Sequence, residues 1–268
     1  MKDKGRPVLA AFQFLSRFPV KAELDFSPEP LRRSVKYYPL VGAAIGLAVL
    51  VAGLLAAWLL PPLPAAVVAL ILWVWLTGGL HLDGWMDSAD ALLSYRDRER
   101  MLEIMKDSRV GAMGVLACVL LLLLKMSLLA SLLSAGGFPA AAAILTAPVW
   151  SRWFMALAMK RWPVARDGGG LAGLFRGLGA KDVAIGAAMA LLLTAASSGA
   201  AVALTGGGTA LLPTAGFYIA APLLALAVGT LVANKISSRL GGLTGDVYGC
   251  LIEGLEALLL LLAVLFFC

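Results

Sequence analysis

Seven long apolar runs separate the charged segments of this chain, and they limit it to one class of fold. The runs cover roughly residues 39–60, 64–82, 110–134, 139–159, 182–204, 209–233 and 250–268. Each is close to the ~20 apolar residues that a helix needs to cross a bilayer. The chain is 61% hydrophobic and 14% charged, whereas an ordinary soluble domain is about 25% charged. We therefore expect an all-α, polytopic membrane bundle of about seven transmembrane helices, formed by residues 1–268 as a single domain.

Charge is confined to every second connection between the runs. Three connections hold no charged residue: "PPLP" (61–64), "SAGGFP" (134–139) and "TGGG" (205–208). Four segments hold 20 of the 22 Lys and Arg residues: 1–38, 83–109, 160–181 and 235–239. Because Lys and Arg favour cytoplasmic loops, we expect a cytoplasmic N-terminus, an interfacial segment 1–38 and an external C-terminus. The net charge of +6 then reflects topology, and nucleic acid is not an expected partner.

The stretch "HLDGWMDSAD" (81–90) gathers carboxylates at the end of the second apolar run. Asp83, Asp87 and Asp90 have the spacing i, i+4, i+7, which stacks them on one face of a helix. Three carboxylates near an apolar boundary are hard to keep ionised without a cation. Mg²⁺ combines carboxylate oxygens with phosphate oxygens and water, so we predict these three residues as Mg²⁺ ligands. Asp97 continues the stripe if the helix persists.

A second acidic segment, "SSRLGGLTGDVYGCLIEGLE" (237–256), places Asp246 among glycines, with Glu253 and Glu256 following. Carboxylates from two distant segments are the usual layout of a metal-assisted phosphoryl-transfer site. We therefore predict Asp246 and Glu253 as further metal ligands. Asp83, Asp87 and Asp246 are the predicted catalytic residues, and Arg239 is predicted to bind substrate.

Basic residues close to the aspartates indicate a phosphate-bearing substrate. "KDSRVGAMG" (106–114) brings cations and glycines to the start of an apolar run, and the N-terminus of a helix favours a phosphate. For His81, the only histidine, a phosphate-positioning or proton-carrying role and a packing role both stay open. Arg96, Arg98 and Arg100 are expected to anchor the membrane border. The predicted substrate-binding residues of these segments are Arg17, His81, Lys106, Asp107 and Arg109.

Five motifs, taken in order, resemble the cobalamin synthase family, also called adenosylcobinamide-GDP ribazoletransferase. They are "FLSRFPV", "YYPLVGAAIG" (37–46), "GGLHLDGWMDSADAL" (78–92), "MKDSRVGAMGV" (105–115) and "GGLTGDVYG" (241–249). In this resemblance Asp83, Asp87 and Asp90 match the metal-binding acidic motif, and Asp246 matches the second acidic site. The segment of Lys106, Asp107 and Arg109 matches the basic motif.

The resemblance implies a Mg²⁺-dependent enzyme of the inner membrane with its active site on the cytoplasmic face. Such an enzyme joins adenosylcobinamide-GDP to α-ribazole, or to its 5′-phosphate, and releases GMP, the step that assembles the nucleotide loop of vitamin B12. The implied partners are a corrinoid nucleotide, α-ribazole and membrane lipid. A homo-oligomer and an association with other cobamide-assembly enzymes both stay open.

Two other function classes compete with this interpretation. CDP-alcohol phosphotransferases and prenyltransferases also use Asp-rich motifs on lipid substrates, but the former need an Ala-Arg pair where this chain has Met86-Asp87. Transporters place ionisable residues near the bilayer midplane and contain inverted repeats. Here only Lys125 and Arg152 are basic residues within the runs, and Arg152 is expected to face the bundle interior. The transferase interpretation is therefore favoured.

Overall fold

The computed structural model describes residues 7–21, 27–166, 170–204 and 211–268. All the named secondary-structure elements in this part of the chain are helices. The helices are α1 (Pro7–Leu15), α2 (Pro28–Ser34), α3 (Tyr38–Ala57), α4 (Pro62–Thr77), α5 (Leu80–Leu92), α6 (Arg98–Ile104), α7 (Ala112–Ala135), α8 (Phe138–Arg161), α9 (Gly170–Gly173), α10 (Ala180–Leu204), α11 (Leu211–Leu240) and α12 (Gly245–Phe267). A 3₁₀ turn at Val35–Tyr37 joins α2 to α3.

The apolar runs form the expected bundle. Within the described ranges, six helical segments are long and apolar enough to cross a membrane. One is Pro28–Ala57, which comprises α2, the 3₁₀ turn and α3, and the others are α7, α8, α10, α11 and α12. The pair α4 and α5 passes the same test only when the two helices are joined, and they are bent by 88°. The predicted all-α polytopic bundle is therefore confirmed, with six crossings or seven if the bent pair counts as one.

The bend between α4 and α5 corrects the predicted run 64–82. The helix ends at Thr77 because Gly78 and Gly79 both adopt positive φ, at 68° and 73°, a conformation that glycine reaches without steric cost. The chain then turns, and the aspartates lie on α5 instead of at the end of a straight span. We treat α5 as lying outside the membrane-spanning segments for this reason.

Small residues let the central helices approach one another closely. A Cβ atom built on Gly46 of α3 would lie 2.7 Å from the Cα of Leu145 in α8, so only glycine fits there. Spacing of small residues by four positions, as at Gly42 and Gly46, is common where membrane helices pack. Helix α8 is the most enclosed of the six segments and carries the buried residues Arg152 and Phe154. The prediction that Arg152 faces the interior is confirmed.

Arg98 fixes the loops beside the aspartates. Its Nε donates to the carbonyl of Leu240 at 2.8 Å, and its Nη2 donates to the carbonyl of Ala165 at 3.0 Å. The segment around Val164 also forms a parallel backbone bridge with Leu243. Arg98, which we expected at the membrane border, instead holds the segments 163–166 and 240–243 together, and these segments lead into the candidate site.

Candidate functional site

Helices α5 and α12 meet where each carries a glycine. A Cβ atom on Gly84 would lie 2.5 Å from the carbonyl oxygen of Asp246, and one on Gly249 would lie 3.0 Å from the carbonyl oxygen of His81. The glycines therefore permit a backbone approach that larger residues would block. As a result the two predicted acidic segments, 81–90 and 237–256, adjoin in the folded chain.

 In sequence, Gly84 and Asp246 are far apart, but their backbones are in direct contact.

The carboxylate of Asp87, which faces this junction, has a raised pKa. Burial, together with the negative charges of Asp83, Asp246 and Asp90, raises the pKa of Asp87 to about 6, and Arg166 opposes the shift. A raised carboxylate pKa means that the ionised form lacks sufficient positive charge around it. The cluster of Asp83, Asp87 and Asp246 is therefore suited to bind a cation.

Asp90 has a different environment from the other two aspartates of α5. Its Oδ2 accepts from the N–H of Gly111 and its Oδ1 from the N–H of Gly114, both at 2.7 Å. These N–H groups belong to the first turn of α7, so Asp90 caps that helix. Asp97 does not continue the stripe, because α5 ends at Leu92; Asp97 instead caps α6 by accepting from the N–H of Arg100 at 2.9 Å.

Arg166 is the cation that pairs with Asp246. Its Nη2 lies 3.5 Å from Oδ2 of Asp246, and its buried Nε has no hydrogen-bond partner among the residues that the structure describes. Thr244 caps α12 by accepting from the N–H of Val247 at 3.3 Å and donates to Asp246 at 3.2 Å. A guanidinium with donor capacity to spare therefore stands beside the N-terminus of a long helix, an arrangement that suits a phosphate.

Among the described residues, two of the cavities adjoin Asp246. The first, which we call the apolar cavity, measures about 90 Å³ and is lined by Phe14, Leu15, Leu80, His81, Asp83, Met155, Met159, Leu171, Ala172, Phe175, Gly245, Asp246, Tyr248 and Gly249. The second, the polar cavity, measures about 210 Å³ and is lined by Val164, Arg166, Gly170, Leu171, Ala172, Thr244, Gly245 and Asp246. Asp246 thus lies between an apolar compartment and one that holds an arginine.

Glu253 does not join the aspartates. Its Oε2 accepts from Nζ of Lys125 at 2.5 Å, and Glu256 accepts from the same Nζ at 2.6 Å and from Arg152. All four side chains are buried, and the Lys125 Nζ also lies 4.8 Å above the ring of Trp73. This buried ion cluster, defined by Lys125, Arg152, Glu253 and Glu256, binds α7, α8 and α12 together inside the bundle. Glu253 is therefore paired with Lys125 and not with the aspartates.

The remaining predicted residues lie around the site and not within its cavities, as far as the described residues define them. Arg109 donates to Asp107 in an exposed loop and lowers the pKa of Asp107 to about 2. Lys106 follows α6 on the same loop. Arg17 packs against Gly78 at the bend, and Arg239 donates to the carbonyl of Leu92 at the end of α5. Of the predicted substrate-binding residues only His81 lines a cavity.

The carboxylates fit Mg²⁺ only in combination with a substrate. No group of three His, Cys, Asp or Glu side chains within the described ranges is close enough to hold a metal ion by itself. Mg²⁺ ordinarily uses one or two carboxylates and completes its six ligands with water and substrate phosphates. Asp83, Asp87 and Asp246 therefore suit a site that a phosphate-bearing substrate completes.

Sequence reasoning missed Arg166 and the apolar lining of the first cavity. Arg166 lies two positions before a glycine run in "ARDGGG" (165–170), and an arginine so close to such a run was a usable signal for a phosphate site. Nothing in the pattern of Phe14, Met159 or Phe175 distinguishes them from ordinary packing residues. Only the folded chain brings them to one cavity.

Comparisons with known proteins agree on one family. The family model described as cobalamin-5-phosphate synthase matches residues 7–264. A relative from Brevibacillus brevis named adenosylcobinamide-GDP ribazoletransferase is 40% identical over 266 residues, which cover 96% of each chain. Proteins of the same name from Pseudomonas aeruginosa PAO1 and Pseudomonas syringae are 39% and 41% identical, and each alignment covers 97% of this chain and 98% and 99% of the relatives. No solved structure matches the chain.

Proposed function

The chain belongs to the cobalamin-5-phosphate synthase family, and we propose that it joins adenosylcobinamide-GDP to α-ribazole or its 5′-phosphate and releases GMP. The observation that carries this proposal is the contact of α5 with the start of α12, which sets Asp83 and Asp87 beside Asp246 and Arg166. Acids and an arginine around two cavities are the groups that a phosphoryl transfer between two substrates needs.

Mg²⁺ is the proposed cofactor. Asp83, Asp87 and Asp246 are the residues that would hold it, since burial and the charges of Asp83 and Asp246 raise the pKa of Asp87 and leave its ionised form short of positive charge. When bound, the ion supplies positive charge to the pyrophosphate oxygens and to the departing GMP. Asp90 and Glu253 are less suited to this role because backbone N–H groups and Lys125 already occupy their oxygens.

We assign the pyrophosphate to the polar cavity. Arg166 has a free Nε–H as far as the described residues show, and the first N–H groups of α12 begin at Gly245 on the same cavity. Arginine binds phosphate oxygens with two parallel hydrogen bonds. Arg166 therefore takes the clamping role that the sequence had suggested for Lys106 and Arg109.

The chemical step is a displacement at phosphorus. A ribose hydroxyl of α-ribazole forms a new P–O bond to the corrinoid phosphate, the P–O bond to GMP breaks, and the hydroxyl proton passes to a carboxylate. Asp87 or Asp246 suits the acceptor role, since a carboxylate that binds Mg²⁺ through one oxygen keeps a second oxygen that can take the proton. Arg166 and the start of α12 hold the phosphates in line for the attack.

The test is GMP release by the purified full-length protein with adenosylcobinamide-GDP, α-ribazole and Mg²⁺. We expect Asp83→Asn and Asp246→Asn each to lower kcat at least 100-fold, because each removes a charge that acts on the transferred phosphate. The matched control is Asp182→Asn at the start of α10, which should retain nearly full activity. Activity of Asp83→Asn within a few-fold of wild type would remove Asp83 from the site.

The same assay addresses the finer points of the proposal. Omission of Mg²⁺ is expected to abolish GMP release, and comparison of α-ribazole with its 5′-phosphate identifies the preferred acceptor. We further propose that the site faces the cytoplasm of an inner membrane, because basic loops surround it. Labelling of single cysteines placed in the loop 105–111, from outside and inside intact cells, tests that orientation.

A further inference from the structure

Asp83 and Asp246 line one side of the apolar cavity, and its apolar walls have no role in the phosphate chemistry described above. Its walls come from separate parts of the chain: Phe14 of α1, Leu80 of α5, Met159 of α8, and Phe175 after α9. Ligand sites in proteins are mostly apolar with a few well-placed polar groups. A compartment of this kind next to acidic residues is suited to an apolar group that is joined to a polar one.

Two buried polar atoms in the wall of this cavity lack a partner. Tyr248 is 3% exposed and its hydroxyl makes no hydrogen bond to any described residue. His81 is also 3% exposed, and its Nδ1 is likewise unpartnered within the described ranges. Buried polar groups are nearly always hydrogen-bonded in native proteins, so these two atoms point to a ligand with polar atoms of its own.

We propose that the apolar cavity binds the base of the nucleoside acceptor and thereby selects which base the product carries. This inference rests on the proposed function. The ligand class is an aromatic heterocycle on a ribose: the ring fills the apolar compartment, and Tyr248 and His81 pair with its polar atoms. The ribose then extends toward Asp83 and Asp246, which line the same cavity, so its hydroxyl approaches the acidic cluster.

The size of the cavity adds a condition to this proposal. Its volume of about 90 Å³ is less than the ~150 Å³ of an apolar cavity that accepts benzene, so a two-ring base needs the walls to move. Met155 and Met159 belong to those walls, and methionine is unbranched and adapts its shape easily. Entry of the base therefore displaces these methionines, and Phe14 and Phe175, whose ring centroids are 5.6 Å apart, form the more rigid side.

The experiment measures equilibrium binding of α-ribazole to the full-length protein in detergent, together with the KM of each substrate in GMP release. We expect Tyr248→Phe to weaken α-ribazole binding and raise its KM roughly fivefold, the effect of one lost hydrogen bond, with the KM of adenosylcobinamide-GDP unchanged. Since the Tyr248 hydroxyl has no described partner, the variant should fold as well as wild type. Tyr218→Phe, at a buried tyrosine of α11 that lines neither cavity, is the matched control and should change neither constant.

A series of bases provides a second measurement. Removing methyl groups one at a time from the benzimidazole ring of α-ribazole should weaken binding to wild type about fourfold per methyl, as expected for a buried apolar group. In Phe175→Ala, which opens the cavity, this dependence should largely disappear. Equal effects of Tyr248→Phe on both substrates, or affinities that do not depend on the methyl groups, would overturn the assignment.

The two proposals fail in different ways. If α-ribazole binds with the expected dependence on Tyr248 but no GMP is released, the proposed reaction is wrong and the nucleoside site stands. If GMP is released while Tyr248→Phe and the methyl series leave the acceptor constants unchanged, the reaction stands and the base binds elsewhere.

Discussion

Replacing Lys125 by Met tests whether the buried ion cluster is structural. The side chain of Lys125 is 2% exposed and its Nζ contacts Glu253 and Glu256. Methionine keeps an unbranched chain of similar length but removes the charge. The two glutamates are then left with Arg152 as the only cation of the cluster. Breaking a buried ion pair in this way generally destabilises a protein by ~3–5 kcal/mol.

The destabilisation caused by Lys125→Met has an upper limit that depends on pH. One glutamate can take up a proton, and protonating a carboxyl group of ordinary pKa ~4.3 costs about 3.7 kcal/mol at pH 7 but only about 1 kcal/mol at pH 5. The destabilisation by Lys125→Met should therefore shrink by about 2.7 kcal/mol between pH 7 and pH 5. The double variant Lys125→Met/Glu253→Gln, which restores neutrality with Arg152 and Glu256, should recover most of the loss at pH 7.

The measurement is reversible unfolding in mixed detergent and SDS micelles, followed by tryptophan fluorescence. Trp73, which lies beside Lys125, makes this signal sensitive to the cluster. Lys235→Met, at an exposed position of α11, is the control and should change the free energy of unfolding by less than ~0.5 kcal/mol. A loss below about 1 kcal/mol at pH 7, or one that is the same at pH 5, would refute the description of a desolvated ion cluster.

Three further predictions concern α5. Gly84→Ala should lower kcat more than tenfold, because the added Cβ would lie 2.5 Å from the Asp246 carbonyl oxygen and must push the acidic segments apart. The control is Gly199→Ala, whose added Cβ would have no atom within 4 Å among the neighbours considered. Asp90→Ala should lower stability by ~0.5–2 kcal/mol through loss of a helix cap and leave the Mg²⁺ concentration for half-maximal activity unchanged, whereas a tenfold increase would make Asp90 a metal ligand. In metal-free protein, the pKa of Asp87 is about 6 in the folded state against an ordinary 3.8. The contribution of Asp87 to stability is therefore present below about pH 4 and is lost as pH rises through 6. Melting temperatures measured across this range should show that loss in wild type and not in Asp87→Asn.

The placement of Asp83 and Asp87 on one helix could be predicted because helical spacing is a local property. The i, i+4 spacing of Asp83 and Asp87 holds on α5 as expected, and Asp246 lies on α12 next to them. The sequence was less informative about Asp90, because a helix cap and a metal ligand require the same carboxylate. The choice between them depends on whether N–H groups are nearby, and here those of Gly111 and Gly114 are.

Predictions for single charged residues were less reliable than predictions for segments. Glu253 lies seven residues after Asp246 on the same helix, and its partner Lys125 comes from α7. No local pattern relates these two residues, since their contact depends on how α7 and α12 pack. Arg166 was missed for the same reason: it lies in the segment after α8, its neighbour Asp246 lies on α12, and the backbone bridge of Val164 and Leu243 brings the two together.

The sequence by itself determined the all-α membrane bundle and the two acidic segments, because hydrophobic length and helical periodicity depend only on neighbours along the chain. The tertiary structure decided which carboxylates face one another, which are neutralised by a buried lysine, and where the apolar cavity lies. These depend on close approaches at Gly84 and Gly249 and on the bend at Gly78 and Gly79. The physical reason is that a charge acts on whatever lies within a few ångströms of it, and only the folded chain sets those distances.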